Sequence, residues 1–571
     1  MRTRLVLALT LTTVLAATVA QLAPLASAST AGATASTSRS TDYLVLFEGT
    51  RPTAAAREAI ARSGGTITEV NTKIGYAYVR TRSAAFSARL NASGAVLGVA
   101  EERSIGSVPR ARRLKVSDAR RLTRQGGVTR TEAAVPLPKV SAAEAGVTPE
   151  PLANLQWDMR QIGATPAGSY AVSTGSRKVR IGVIDTGIDG SHPDIAPSFN
   201  RRLSRNFVTD MVDIDGPCEH PGCVDPVDED DDGHGTHVAS TIGSPINGLG
   251  MAGVAPNVTL VNIRAGQDSG YFFLKATLDA LTYAGDIGVD VVNMSYYTDP
   301  WLYNCVDNPA DSPAEQAEQR VLRLATQRAL DYAMRRNVLP VAAMGNGATD
   351  LGRPTTDATS PDYPANSARE RAVDNSCITV PTESRGVVAV SSTGPSMRKA
   401  YYSDYGTEQT DVSAPGGDTY DSPDNTRSAK NAIIAAYPRS LAEANGDLNP
   451  DGTPKNDFVL RDCKGDVCGY YQYLQGTSMA SPHAVGVAAL VASEHGHRDR
   501  VHGGLTLRTD RARRLLYGTT LPHPCPRPRL FHYTRITVDG VVESDARCEG
   551  PLRRNGFYGR GIVNAYRAVT R

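Results

Sequence analysis

The sequence predicts an α/β protein built on a mostly parallel sheet, preceded by a small α+β domain of the split-βαβ, ferredoxin-like type. Three observations carry that reading. From about Leu155 onward, short β-branched runs alternate with helical stretches. Residues 42–107 follow another order: strand, helix, strand, strand, helix, strand. Between the two, residues 108–150 crowd arginines without apolar periodicity, which marks a linker. At 571 residues, the chain is also too long for one ordinary domain.

In chain order, Met1-Arg-Thr-Arg4 is a short basic region, Leu5 to Ala20 is apolar, and Ala26-Ser-Ala28 offers small residues for cleavage. This is the pattern of a secretory signal over residues 1–28. The run falls short of the roughly 20 residues of a membrane span, so a secreted chain with no membrane association after signal removal is expected. The Ser/Thr/Ala stretch 29–41 reads as disordered. Tyr43–Phe47 reads as a strand, Thr53–Arg62 as a helix ended by Gly64-Gly65, and Thr66–Arg80 as two strands around Lys73-Ile-Gly75. Ala84–Ala92 reads as a second helix and Val96–Ser104 as a last strand. The arginines at 110, 112, 113, 120, 121 and 124 fit either a solvated linker or an exposed processing site. Both readings stay open.

The larger part spans residues 151–571. Its strands are expected at Val179–Ile184, Thr259–Ile263, Val289–Asn293, Val338–Ala343 and Gly386–Val390, with helices at Phe273–Ala284 and Ala317–Arg335. In a parallel sheet covered on both faces, ligands sit beyond the carboxyl ends of the strands. Hydrophobic residues make up 40% and net charge is +2, and no basic stretch is interleaved with aromatics. A nucleic-acid binder is therefore not expected. The eight cysteines all lie at or beyond Cys218. An even count in an exported chain favours disulfides. Four bridges between sequence neighbours are expected, although spacing alone leaves the connectivity open.

Three strand or helix ends hold the parts of a nucleophilic hydrolase. Asp185 ends the strand that runs to Ile184. His234 lies in Asp232-Gly-His-Gly-Thr-His-Val238, before an apolar helical run. Ser478 lies in Gly476-Thr-Ser-Met-Ala-Ser-Pro-His483, at the entrance to a helix expected over Ala484–Ala492, with Pro482 in its first turn. A serine hydroxyl is a weak nucleophile until a base takes its proton, and the base needs an orienting carboxylate. Each motif alone is common; all three in the order Asp, His, Ser are specific.

These segments resemble the three signature segments of subtilisin-like serine proteases, the subtilases. Ile184-Asp-Thr-Gly-Ile-Asp189, Gly233-His-Gly-Thr-His-Val-Ala239 and Gly476–His483 carry the resemblance. It implies a subtilisin-like three-layer fold and a triad of Asp185, His234 and Ser478. It further implies an oxyanion-hole donor at Asn346, in Ala342-Ala-Met-Gly-Asn346. The family's activity would make the chain a serine endopeptidase acting on polypeptides, with no cofactor for the chemistry. Residues 42–107 resemble the family's inhibitory propeptide, which implies a self-processing zymogen with its own propeptide as partner. A monomer is expected.

The substrate-cleft strand departs from the family pattern. Asn293-Met-Ser295 continues with Tyr296-Tyr297 where the family has Leu-Gly, so the substrate-binding residues Ser295, Tyr296 and Tyr297 leave specificity open. Segments Asp299–Ala317 and Asp418–Tyr471 are expected at the cleft rim. Structural calcium is admitted at two places. The resemblance suggests Asp194, Asn247 and the carbonyls of Pro245, Leu249 and Met251. The six carboxylates of Asp225–Asp232 offer another site, or else a solvated acidic loop. His237 and His483 read as packed structural histidines rather than metal ligands.

Overall fold

The computed structural model describes residues 40–102, 148–364 and 366–571. The signal 1–28, nearly all of the stretch 29–41 and of the linker, and the last residues of 42–107 lie outside the described residues.

The small domain contains β1 (Thr41–Leu46), α1 (Ala54–Arg62), β2 (Gly65–Asn71), β3 (Tyr76–Thr81), α2 (Phe86–Ala92) and β4 (Gly98–Glu102). Its antiparallel sheet has the order β2-β3-β1-β4. α1 begins where the Thr53 side chain accepts from Ala56 N, and it ends at Ser63 before Gly64, which takes φ +88°. The period-2 alternation of the strands splits their side chains between two cores. Tyr43, Val45, Phe47, Ala77, Val79 and Val99 pack on α1 and α2. Leu44, Leu46, Tyr76 and Ala100 face the other way and join a core of the larger part.

That larger part is built on β5 (Arg180–Ile184), β6 (Arg205–Asn206), β7 (Thr259–Arg264), β8 (Val291–Met294), β9 (Leu339–Ala343), β10 (Val388–Thr393) and β11 (Val412–Pro415). They form one sheet in the order β11-β10-β9-β8-β5-β7-β6, and every pairing in it is parallel. Helices α3 (Trp157–Ile162), α4 (His234–Gly243), α5 (Leu274–Ile287), α6 (Pro313–Met334), α7 (Arg439–Ala444) and α8 (Thr477–His495) surround it, followed by α9 (Thr509–Thr519) and α10 (Ala565–Thr570). Alternation again sorts the layers. Ile181, Val183, Val291, Leu339 and Val341 pack with α4 and α8. Ile184, Val292, Met294 and Ala342 pack with α5 and α6, the layer that the small domain also covers. α6 starts at a capping box, with Ser312 and Glu315 exchanging bonds and Pro313 at the first position.

Three expectations need correction. The last long helix begins at Thr477 rather than Ala484, so Pro482 sits inside it. The segment Asp418–Tyr471 is not all rim: it supplies β12 (Ile433–Ala436), fully buried. β12 pairs with β14 (Val467–Leu474), which pairs with β13 (Val459–Lys464). The segment Asp299–Ala317 also folds into the body. Trp301 is fully buried, and the Arg371 guanidinium lies 4.7 Å from its ring centre. A hairpin of β15 (Leu530–Thr537) and β16 (Gly540–Arg547) lies near the C-terminal end. The disulfides are Cys218–Cys223, Cys305–Cys377, Cys463–Cys468 and Cys525–Cys548, all between sequence neighbours as expected.

Candidate active site

Asp185 and His234 meet beyond the carboxyl end of β5, and Ser478 opens α8, the helix that packs on α4. Asp185 is fully buried, and His234 Nδ1 donates to its Oδ1 at 2.7 Å. The same oxygen accepts from Thr186 N at 2.9 Å. Burial opposes the imidazolium, but the charge and hydrogen bond of Asp185 outweigh it, helped by Asp232 and Asp230. His234 is thereby raised to about 9.

His234 opens α4, and its approach to β5 is set by backbone. Gly235 N donates to Thr186 Oγ1 at 3.1 Å. A Cβ on Gly235 would lie 2.1 Å from the Gly187 carbonyl oxygen, so only glycine lets the two segments come this close. Asp230 ties the turn together. One oxygen accepts from Gly233 N and Thr186 Oγ1, the other from Thr236 N and Oγ1, all within 2.6–3.0 Å.

Ser478 is the second residue of α8, where helix N–H groups are unpaired. Pro482 has no N–H to give the Ser478 carbonyl four residues back. Ser295 Oγ takes that place and donates to Ser478 O at 2.9 Å. The Ser478 hydroxyl in turn donates to the Ser295 carbonyl oxygen at 3.2 Å, not to His234. The end of β8 is thus fastened to the nucleophile in both directions.

Asn346 stands beside this helix entrance. Its Oδ1 accepts from Thr477 N at 2.9 Å and from Thr477 Oγ1 at 3.0 Å. With the oxygen occupied, Nδ2 is the end left to donate to an oxyanion. Thr477 was missed in the sequence, although it lies in the nucleophile motif itself.

The tyrosine pair after Ser295 divides its roles. Tyr296 is 9% exposed and stacks on Phe272 with ring centres 4.1 Å apart, so it belongs to the core beneath the cleft. The Tyr297 hydroxyl donates to Asp362 Oδ2 at 2.5 Å.

His237 and His483 are structural, as read. His237 Nε2 lies 3.1 Å from the carbonyls of Ile433 and Gln472, and burial lowers it to about 3. His483 bonds Met479 O and Asp158 within the core.

The structure brings Asp194 and Asn247 together, but through donors. Asp194 accepts from Asn247 Nδ2 at 3.0 Å, Met251 N at 3.0 Å and Tyr471 Oη at 3.1 Å. Asn247 Oδ1 accepts from Leu249 N, and the Asn247 carbonyl accepts the Lys464 ammonium. Donors of the chain itself thus hold Asp194 and Asn247 Oδ1. In the acidic stretch, Asp230 braces the His234 turn. Asp225 meets the buried Arg264 guanidinium at 2.7 Å, and Asp268 and Asp210 flank the same cation.

The model of the Subtilase family matches residues 176–529, more than half of the chain. Among curated relatives, a thermophilic serine proteinase of Bacillus sp. (strain AK1) is 28% identical over 327 residues, covering 57% of this chain and 55% of that protein. The alkaline protease of Alkalihalobacillus alcalophilus is 29% identical over 342 residues, covering 60% of each. The chain thus spans little more than half the length of these relatives. Thermitase of Thermoactinomyces vulgaris is 26% identical over 340 residues, covering 59% of this chain and 82% of the relative. In fold, the epidermin leader peptide processing serine protease of Staphylococcus aureus matches with TM-score 0.58 at 20% identity, over 93% of this chain and 98% of that one. Fervidolysin from Fervidobacterium pennivorans matches with TM-score 0.53 at 18% identity, over 93% and 61%.

Proposed function

The chain belongs to the subtilase family, and on that premise we propose that it is a secreted serine endopeptidase acting through Asp185, His234 and Ser478. The observation that carries the reading is the 2.7 Å bond from His234 Nδ1 to Asp185 Oδ1. With Nδ1–H committed to the carboxylate, Nε2 holds the lone pair that can take a proton. The Ser478 hydroxyl leaves the Ser295 carbonyl, gives its proton to Nε2, and its oxygen attacks the peptide carbonyl carbon. Asn346 Nδ2 and the Ser478 N–H hold the oxyanion. The tetrahedral intermediate collapses, the C–N bond breaks, and His234 gives its proton to the leaving amine. Water then repeats the sequence on the acyl-enzyme, releasing the acid and restoring Ser478.

The small domain is read as an intramolecular inhibitor removed by self-cleavage, and the enzyme as a monomer. Supporting the inhibitor reading, the outer face of the small domain's sheet shares a core with α5 and α6. The N-terminal signal pattern supports secretion. Among the described residues, no helix is long and apolar enough to cross a membrane. The decisive experiment is Ser478→Ala in the full chain. Expected: no casein hydrolysis, no labelling by a serine-directed fluorophosphonate, and an uncut precursor. Normal maturation of that variant in a protease-free host would sink self-cleavage. Turnover of a simple ester without any of casein would sink the endopeptidase reading.

A further inference from the structure

The turn that carries Asn346 is held by a buried carboxylate that the proposed chemistry does not touch. Asp404 is 5% exposed. Its Oδ1 accepts from Thr349 N at 2.7 Å, and the carboxylate also takes a bond from the Gly347 N–H. The Asp404 N–H donates to the Gly345 carbonyl at 2.9 Å. Residues on both sides of Asn346 are therefore tied to one residue, Gly345 through the Asp404 backbone N–H, and Gly347 and Thr349 through its carboxylate. The fit is close. A Cβ on Gly345, which takes φ +115°, would lie 2.2 Å from Asp404 Oδ2.

A buried lysine lies in the same segment as Asp404. Burial raises the Asp404 carboxyl to about 7, and Lys399, 1% exposed, works against that rise. Its Nζ donates to the carbonyls of Ala400 at 2.9 Å and Ser403 at 2.8 Å. The rings of Tyr405, Tyr533 and Phe557 surround it, with centres 5.0, 5.4 and 5.4 Å away. Tyr533 lies on β15, beyond the region matched by the family model, and its hydroxyl donates to Lys399 O at 2.9 Å. A chain of contacts thus runs from the C-terminal hairpin to the oxyanion donor.

We propose that Asp404 is a positioning residue for Asn346: its carboxylate fixes the Gly347–Thr349 segment of the turn so that Asn346 Nδ2 points at the oxyanion. The inference rests on the oxyanion role given to Asn346 above. Misplacing a catalytic donor by about 1 Å costs on the order of 100-fold in rate, so a loosened turn is felt in kcat.

The test is a double-mutant cycle in the full chain, with active sites counted by fluorophosphonate titration. Asp404→Asn keeps the shape but turns an amide against N–H donors. Expected: kcat falls about 30-fold with KM within about twofold, and the same change in an Asn346→Ala chain costs less than about threefold. Equal losses in both backgrounds would mean a merely structural role and overturn the proposal. So would a loss carried by KM. If Asn346→Ala alone leaves kcat unchanged, the oxyanion assignment falls and the proposal with it. Should Asp404→Asn not accumulate, Asp404→Glu keeps the charge but displaces it, and the cycle reads the same way.

Discussion

His234 carries the pH dependence of the proposed reaction in a single side chain. Asp185, Asp232 and Asp230 stabilise its charged form against burial and raise it to about 9. A general base works only when unprotonated. The acid limb of kcat/KM must therefore rise with pH as His234 loses its proton, on the alkaline side of neutrality. Asp232→Asn removes one of the stabilising carboxylates and is expected to move that limb to lower pH. A pH–rate profile on a short peptide substrate checks both statements. A limb below about pH 6.5, the unperturbed value for histidine, would contradict the assignment. The three residues proposed as the triad stand out in the sequence because each sits in its own motif at the end of a strand or helix. Asp230 and Asp404 could not, because what they hold is largely backbone N–H reached through tertiary folding. Asp404 grips a turn some 55 positions earlier in the chain, and no spacing rule announces such a bond.

The hairpin of β13 and β14 acts as a clasp on the loop from Ser244 to Met251. Tyr471 and Lys464 bond Asp194 and Asn247. Asp462 accepts from Gly250 N at 2.7 Å, and Cys463–Cys468 closes the hairpin. Glu150 accepts from Gly248 N on the other side. With Asp194 and Asn247 held by donors of the chain itself, EDTA is expected to leave the melting temperature of the full chain unchanged. A fall on chelation that calcium alone reverses would return the ion to Asp194 or to the carboxylates of Asp225–Asp232. The elements themselves were mostly legible, since β5, β7 and β9 lie within about a residue of the pattern of β-branched runs. β12 was not: Ile433-Ile-Ala-Ala436 is buried on both sides and too short to show alternation. The start of α8 was hidden too, because Thr477–Pro482 is poor in strong helix formers and contains a proline.

Along β1, β3 and β4 the small domain's sheet is packed on both faces, one on α1 and α2 and the other on α5 and α6, while β2 leaves Thr66, Thr68 and Glu69 exposed. Such a domain is held to the larger part by burial more than by charge. The polar contacts at the junction include Lys73 with Asp286, Lys275 with Glu69 at 3.1 Å, and Arg328 Nη1 with the Phe47 carbonyl at 2.6 Å. The first two pairs are partly exposed, and pairs of that kind contribute about 0–1 kcal/mol each and weaken in salt. Leu44, Leu46 and Tyr76 are fully buried against the helices, and removing a leucine-sized side chain from water is worth roughly 1.5–3 kcal/mol. The two parts should therefore stay together without the peptide that links them. Expected: after limited trypsin cleavage of the Ser478→Ala chain at the linker arginines, the small domain co-elutes with the larger part even in about 0.5 M salt, where exposed ion pairs are screened. Leu46→Asp, which buries an unpaired charge in the shared core, should release it. Separation of the unmutated fragments on raising the salt would mean that the ion pairs, not the apolar face, hold the domain in place.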